Sequence, residues 1–245
     1  MQVDLILEHP EYRLQSRSRL SARDDEYKRV WMDGREPLYV IFRRIRNLRI
    51  AVRKEYYEAA FLLDRIAPEL RRARSVYEIA AGHGMFGMFA AAMFRNLERV
   101  IHVDLVRPQS YERILEQVAL DYPFVKPRSE YHEAPAGEGP PVPAGSLVVG
   151  LHCCGALTDS VAECARSGGA SFAVVPCCER RSLLRGRDAG ARGEDIPRIV
   201  NDARVRRWTE WGYAVEEREL PDTVTKRRRI FVATAPDRSG TGPRP

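Results

Sequence analysis

The 245-residue sequence lacks a continuous apolar stretch long enough to predict a membrane-spanning helix. One uncharged run near the middle of the chain, residues 80–94, is interrupted by three glycines and a histidine. Its length of about 15 residues falls short of the roughly 18 that a span needs. The first residues contain neither a basic n-region nor a long apolar segment, so we expect no signal peptide. These absences predict a cytoplasmic protein with no membrane partner.

Cysteine is scarce. The chain has five cysteines, an odd number, and four of them form the adjacent pairs Cys153-Cys154 and Cys177-Cys178. Adjacent cysteines rarely bridge each other, and a secreted disulfide framework uses an even number of cysteines. The sequence therefore excludes a small domain held together by disulfides.

Hydrophobic periodicity divides the chain into three parts. Apolar residues recur at spacings of three and four over residues 37–63, which predicts one long helix ending near Pro68, within a helical N-terminal extension over residues 1–70. Strand and helix patterns then alternate over residues 71–235, with five apolar or short strands and a C-terminal hairpin, which predicts an α/β domain whose parallel sheet is covered on both faces. Residues 179–195 read as a mobile lid and residues 236–245 as a disordered tail.

A glycine-rich turn joins the first predicted strand to a helix. Residues 82–87 match the dinucleotide pattern G-x-G-x-x-G, and Asp104 ends the next strand. Glu78 lies inside the apolar first strand, where an unpaired carboxylate is costly and a cationic ligand beyond the strand tip would compensate it. The chain has no plausible second mononucleotide half. S-adenosylmethionine, with a positively charged amino-acid end and a ribose for Asp104, fits better than a dinucleotide.

The segment from Glu78 to Gly84 resembles the first motif of class I S-adenosylmethionine-dependent methyltransferases, with Ala80 in place of the first glycine. The resemblance covers about residues 70–235. It implies a Rossmann-like, seven-stranded, mostly parallel sheet with an antiparallel C-terminal hairpin. The cofactor contacts expected on this basis are Glu78, Ala80, Gly82, Gly84, Asp104 and His152.

Two cysteine-containing segments resemble a methyltransferase subgroup with a Leu-His-x-Cys-Gly-x-x-Thr-Asp segment and a later Pro-Cys-Cys segment. Here they are residues 151–159 and 176–178. That subgroup includes tRNA-modifying enzymes and uncharacterised methyltransferase-like proteins. Because the segments follow the fourth and fifth predicted strands, we expect both to border the crevice at the carboxyl edge of the sheet.

Three interpretations of these residues stay open. In the one we adopt, His152 is catalytic and positions or deprotonates the acceptor, while Cys153, Cys154, Cys177 and Cys178 line the substrate pocket. In the second, His152 and cysteines from both pairs bind zinc, although adjacent cysteines depart from the usual spacing of zinc ligands. In the third, the cysteines are small buried hydrophobes and His152 completes a loop. A cysteine nucleophile has no independent support. We predict no metal.

The net charge of +6 comes from 40 basic and 34 acidic residues, and the isoelectric point is about 9.2. Four basic clusters lie at residues 43–54, 180–192, 204–207 and 226–229. They are either an RNA-backbone track around the active-site rim or solvated faces of helices and turns. RNA is slightly favoured over a small-molecule or peptide acceptor.

The sequence thus predicts a methyltransferase that uses S-adenosylmethionine. Two alternatives remain. One is a nicotinamide-dependent oxidoreductase that uses the same glycine loop. The other is a non-catalytic RNA-binding protein with a degenerate methyltransferase domain.

Overall fold

The computed structural model describes residues 36–50, 53–179, 195–222, 224–225 and 228–236. Within these ranges one sheet has seven strands: β1 (Ser75–Ile79), β2 (Arg99–Asp104), β3 (Ser129–Glu133), β4 (Ser146–Cys153), β5 (Ser171–Pro176), β6 (Ala214–Glu219) and β7 (Arg229–Thr234). The α-helices are α1 (Glu36–Asn47), α2 (Arg53–Arg65), α3 (Ala67–Arg72), α4 (Met85–Met93), α5 (Gln109–Ala119), α6 (Leu157–Gly168) and α7 (Asp195–Glu210). A 3-10 helix covers Pro123–Arg128.

The strand order is β3-β2-β1-β4-β5-β7-β6. Strands β1 to β5 pair in parallel, while β7 pairs antiparallel with both β5 and β6. This confirms the predicted α/β fold with a mostly parallel sheet and an antiparallel C-terminal hairpin. The strand order reverses between β1 and β4, which is where open sheets of this kind form their ligand crevice.

Helices cover both faces of the sheet. Alternate residues of each central strand point to opposite faces, so Val76 belongs to one core and Tyr77 to the other. The first core contains side chains of α1, α2, α4 and α5, and the second contains side chains of α6 and α7. This double covering explains why β1, β4 and β5 read as continuous apolar runs.

The N-terminal helical segment differs from its prediction. The single helix predicted over residues 37–63 is wrong, because the chain turns between α1 and α2. Arg49 has a positive φ of 54°, and the Ile50 amide bonds back to the Ile45 carbonyl at 3.3 Å. Pro68 lies in the first turn of α3, where a missing amide hydrogen costs nothing. The boundary at residue 70 stays a prediction.

The turn after α1 lets α2 pack against the rest of the protein. Tyr56 of α2 stacks on Phe42 with ring centroids 4.1 Å apart and meets Phe89 of α4 edge-on at 5.9 Å.

The longer segments that lie outside the described residues are residues 1–35, residues 180–194 of the expected lid and residues 237–245 of the expected tail. Among the helices that are described, none has the length and apolar character needed to cross a bilayer.

Candidate functional site

A cavity of about 150 Å³ lies at the carboxyl ends of β1 and β4, between the sheet and α2. Its walls combine carboxylates and imidazoles with the glycine turn: Glu55, Glu58, Ala59, Glu78, Ala80, Ala81, Gly82, His83, Met85, Phe86, Leu151 and His152. We call it the acidic pocket. A larger cavity of about 350 Å³ lies at the amino ends of the strands, beside Ser146 and Ser171, and contains none of the predicted site residues.

Asp104 holds the glycine turn in place. One carboxylate oxygen accepts a hydrogen bond from the Gly82 amide at 2.8 Å, and the other accepts one from the Leu105 amide at 2.7 Å. Gly82 and Gly84 have φ values of 50° and 70°, a conformation that favours glycine. The structure therefore brings together three of the predicted cofactor contacts, on the second strand and on the turn after the first.

Glu78 is buried inside β1, as predicted, but it is not unpaired. Its Oε2 accepts a hydrogen bond from the Gly87 amide at 3.0 Å and lies 2.9 Å from Nδ1 of the buried His102. The protein partners of this carboxylate come from β2 and from the start of α4. Glu78 also lines the acidic pocket, so its role toward a cofactor stays a prediction.

Ala80 and His152 share a rare backbone conformation. Ala80 comes shortly after Glu78 of β1. His152 comes shortly after Val149 of β4, which pairs with Glu78. The φ values of Ala80 and His152 are 56° and 61°, in the left-handed region that non-glycine residues occupy at a cost of about 1–3 kcal/mol. Beside His152 the pairing register of β4 shifts between Leu151 and Cys153. The irregular backbone turns both residues into the wall of the acidic pocket.

Glu58 is a site residue that the sequence analysis missed. It belongs to α2 and is 2% exposed, and its Oε2 lies 2.8 Å from Nε2 of His152. Its other oxygen, Oε1, lies 3.1 Å from Nζ of Lys54. Neither contact has hydrogen-bond angles, since His152 Nε2 and Glu58 Oε1 both lack a hydrogen-bond partner by that criterion. A signal was present: Glu58 is the one charged residue in the run 56–63.

The electrostatic balance at Glu58 favours its ionised form. Burial raises the pKa of the carboxyl, but the contact and charge of His152, followed by those of Lys54, outweigh burial and leave the pKa below its ordinary value. Glu58 is therefore a carboxylate at neutral pH. Together with Glu55 and Glu78 it gives the pocket three acidic groups, which suit a cationic ligand.

Of the four cysteines in the two adjacent pairs, three have sulfur atoms that lie together and one points elsewhere. Cys153 is buried, its Sγ is 4.0 Å from the Ile79 carbonyl, and burial raises the pKa of its thiol to about 12. Cys154, Cys177 and Cys178 lie together, with their sulfur atoms within 4.8 Å of one another. Among the described residues that line the acidic pocket there is no cysteine. The assignment of Cys153, Cys154, Cys177 and Cys178 to a substrate pocket stays a prediction.

The loops that carry these thiols are tied together through main-chain and side-chain contacts. The Gly155 amide donates a hydrogen bond to the Cys178 carbonyl at 3.0 Å. The thiols of Cys154 and Cys177 contact the His152 carbonyl at 3.6 and 3.3 Å. The cysteine loops therefore set the backbone position of His152.

Five described arginines of the basic clusters are paired with carboxylates. Arg204 is buried and lies 3.2 Å from Asp159, which Arg207 also contacts. In the hairpin, Arg228 lies 3.4 Å from Glu219, and Arg229 lies 2.9 Å from Glu217. In the first cluster, Arg44 pairs with Asp121. Residues 180–192, 226 and 227 of the predicted clusters lie outside the described residues.

Comparisons with known proteins place the fold. The sequence matches no protein-family model and no curated protein. Among solved structures, the methyltransferase domain of bacterial CtHen1-CN superposes with a TM-score of 0.51 at 12% identity, over 74% of this chain and 99% of that one.

Two further structures are similar at lower scores. An O-methyltransferase family protein from Burkholderia thailandensis has a TM-score of 0.45 and 17% identity, over 86% of this chain and 70% of that one. The 16S rRNA (adenine(1408)-N(1))-methyltransferase W203A mutant from Catenulisporales acidiphilia, solved with its cosubstrate S-adenosylmethionine, has a TM-score of 0.46 and 16% identity, over 71% of this chain and 91% of that one. The comparison with CtHen1-CN shows that this chain has the fold of a methyltransferase domain.

Proposed function

We propose that this protein is an S-adenosylmethionine-dependent methyltransferase. The observation that carries the proposal is the acidic pocket, which lies beside the glycine turn at the crevice of a methyltransferase fold. Glu55, Glu58 and Glu78 supply negative charge, while the bound cofactor has a positive sulfonium and a positive ammonium group. A pyrophosphate would meet these carboxylates with like charge. The donor set therefore fits the proposed cofactor better than it fits a dinucleotide.

The residues around the glycine turn would contact different parts of the cofactor. The acidic pocket, with Glu78 and Ala80 in its wall, would hold the amino-acid end. The turn backbone at Gly82 and Gly84 would lie along the ligand, where glycine permits a close approach. Asp104 ends β2 and would accept hydrogen bonds from the ribose hydroxyls.

His152 would act on the acceptor, with Glu58 as its positioning residue. The bound cofactor supplies an activated methyl group, so the protein contributes alignment and, where the acceptor carries a proton, a base. The imidazole of His152 lies in the pocket wall, and the Glu58 carboxylate contacts its Nε2 at 2.8 Å, which fixes the orientation of the ring. The pair can therefore accept a proton from the acceptor and keep it away from the developing product.

RNA is the acceptor that we propose. The net charge of +6 supports it, as does the cluster at residues 180–192, which begins two residues after Cys178 in the sequence. Incubation with methyl-labelled cofactor and fractionated cell extract tests this proposal. Label in the RNA fraction supports it, and label confined to small molecules or peptides contradicts it.

Isothermal titration with S-adenosylhomocysteine tests the cofactor assignment. We expect Asp104→Asn to weaken binding about tenfold or more, because hydrogen bonds to a charged group contribute about 1.5–3 kcal/mol each. Asp202→Asn, on an exposed part of α7, is the matched control and should bind like the wild type. No binding by the wild type, or fluorescence of NADH that changes on mixing, would overturn the assignment. Salt-dependent RNA binding without cofactor affinity would instead indicate a degenerate domain.

A further inference from the structure

Three thiols form a compact group beside the site. Cys154 follows β4, and Cys177 and Cys178 follow β5, and their three sulfur atoms all lie within 4.8 Å of one another. All five cysteines in the chain are free thiols. We call Cys154, Cys177 and Cys178 the thiol cluster. The methyltransferase chemistry proposed above gives these side chains no role.

The spacing of the sulfur atoms is close to that of a metal site. With zinc–sulfur bonds of about 2.3 Å, tetrahedral geometry puts neighbouring sulfurs about 3.8 Å apart. The thiols would therefore move by roughly 1 Å or less to surround one ion. Thiolates are soft ligands that select zinc over magnesium or calcium. Sequence spacing alone disfavours adjacent cysteines as ligands, but the fold completes the set with Cys154 from the neighbouring strand.

The loops that carry the thiols are held in place by contacts that involve no sulfur atom. Gly155 bonds to the Cys178 carbonyl, and the buried Arg204 donates a hydrogen bond to the Gly155 carbonyl at 2.6 Å. The Thr158 hydroxyl donates one to the Cys153 carbonyl at 2.7 Å. Such outer contacts hold ligands in position before a metal binds, which lowers the cost of forming the site.

The other candidate ligands of this region point elsewhere. Cys153 contacts the Ile79 carbonyl, and His152 directs Nε2 toward Glu58. Asp159 is engaged by Arg204 and Arg207. Among the described residues the cluster therefore has three ligands and no fourth, the pattern of sites that leave one coordination position open.

We propose that the thiol cluster binds one Zn²⁺ through three thiolates, with the fourth position open to water or another ligand. Binding replaces the three S–H protons by bonds to the metal, so up to three protons are released to solvent. The thiols of Cys154 and Cys177 would then no longer donate to the His152 carbonyl. The metal would instead connect the loop after β4 to the loop after β5 through its bonds to the three sulfurs, and the site does not depend on the proposed methyltransferase activity.

Metal titration of the full-length, reduced protein without cofactor tests the site. We expect one Zn²⁺ per chain in competition with a chromophoric chelator, and proton release in weakly buffered solution. Co²⁺ should give thiolate charge-transfer absorption and the intense visible bands of a tetrahedral complex. Cys154→Ser and Cys178→Ser should each weaken Zn²⁺ binding by about 10–100-fold or more, since even outer contacts have effects of that size.

Cys164→Ser, on α6, is the matched control and should bind Zn²⁺ like the wild type. The far-ultraviolet circular dichroism of each variant shows whether it has folded. No zinc uptake by the reduced wild type would overturn the proposal, and so would equal effects of Cys164→Ser and Cys178→Ser. Two thiols lost to a disulfide that persists in the reduced sample would also overturn it. Because no cofactor is present, a failure here is distinct from a failure of the methyltransferase assignment.

Discussion

At the residue scale, Ala80 and His152 keep a left-handed backbone at the tips of adjacent strands. The conformation places both residues in the wall of the acidic pocket. At Ala80 the chain accepts a strain that glycine would remove. Strain of this kind persists when surrounding structure fixes the backbone. Next to Ala80, the Ala81 amide holds the backbone in place by donating a hydrogen bond to the Val103 carbonyl at 3.2 Å.

We expect Ala80→Gly to leave the free energy of unfolding unchanged or to raise it by up to about 1.6 kcal/mol. Relief of the left-handed strain is worth about 1–2 kcal/mol, and the extra freedom of glycine in the unfolded chain offsets about 0.4–1 kcal/mol of it. Urea denaturation measures the change. Ala81→Gly, next in the chain and without a positive φ, is the control and should destabilise the protein. A destabilisation by Ala80→Gly as large as that of the control would contradict the argument.

The contact between Glu58 and His152 should appear as a pH-dependent coupling. A double-mutant cycle with Glu58→Gln and His152→Asn should give about 0.5–3 kcal/mol at neutral pH. Because the pKa of Glu58 is lowered on folding, its stabilising contribution is present above the unfolded value of 4.5 and is lost as the pH falls through the folded value. Denaturant titrations at several pH values measure this. A coupling that grows as the pH falls below 4.5 would have the wrong sign.

At the element scale, Arg204 joins α7 to the loop between β4 and α6. It is 3% exposed and contacts Asp159, the Gly155 carbonyl and Asn201. Breaking a fully buried ion pair costs about 3–5 kcal/mol. Asp159 is 21% exposed and keeps Arg207 as a partner, so its charge is not left uncompensated. The loss on removing Arg204 should therefore be smaller than that of a fully buried pair.

We expect Arg204→Met to lower the free energy of unfolding by about 2–3 kcal/mol, below the range for a fully buried pair. Thermal or urea unfolding followed by circular dichroism measures the effect. Arg198→Met changes an exposed arginine of the same helix, whose pairs with Asp195 and Asp202 should contribute at most about 1 kcal/mol. Equal losses in the two variants would show that the burial of Arg204 is not the cause.

Sequence periodicity predicted most of the elements because their faces are chemically distinct. The five parallel strands and the C-terminal hairpin predicted over residues 71–235 are all present. The break between α1 and α2 was missed, since the apolar spacing continues through a turn that depends on the backbone of Arg49. At the site, the glycine turn and Asp104 could be read from local order. Glu58 could not be joined to His152 by spacing, because the two meet only when α2 packs on the sheet.

At the scale of the whole molecule, the N-terminal helices belong to the main core. Leu38, Ile41 and Phe42 of α1 and Phe61 and Leu62 of α2 have no exposed surface. They pack in the same core as α4 and the central strands. Burial of one such side chain contributes about 1.5–3 kcal/mol. The five together contribute about 7.5–15 kcal/mol, which is comparable with the roughly 5–15 kcal/mol by which a domain is typically stable.

A chain that begins at residue 71 should therefore fail to fold as an independent domain. We expect weak cooperativity in urea unfolding and increased binding of a hydrophobic dye, because the face of α4 that meets Tyr56 becomes exposed. A chain that begins at residue 36 keeps the described core and is the control. Cooperative unfolding of the shorter chain with wild-type stability would show that residues 36–70 are dispensable for folding.

The position of α2 has a consequence for binding equilibria. One wall of the acidic pocket is α2 and the other is the sheet, so any ligand held between them binds the docked arrangement of the helix more tightly than an open one. By linkage, the bound ligand should slow hydrogen exchange of the α2 amides. The apparent Kd of the ligand should rise as the fraction of molecules with α2 docked falls. Phe42 never touches the pocket, but it stacks on Tyr56 and helps to keep α2 docked. Ligand affinity in this protein is therefore partly a property of α1.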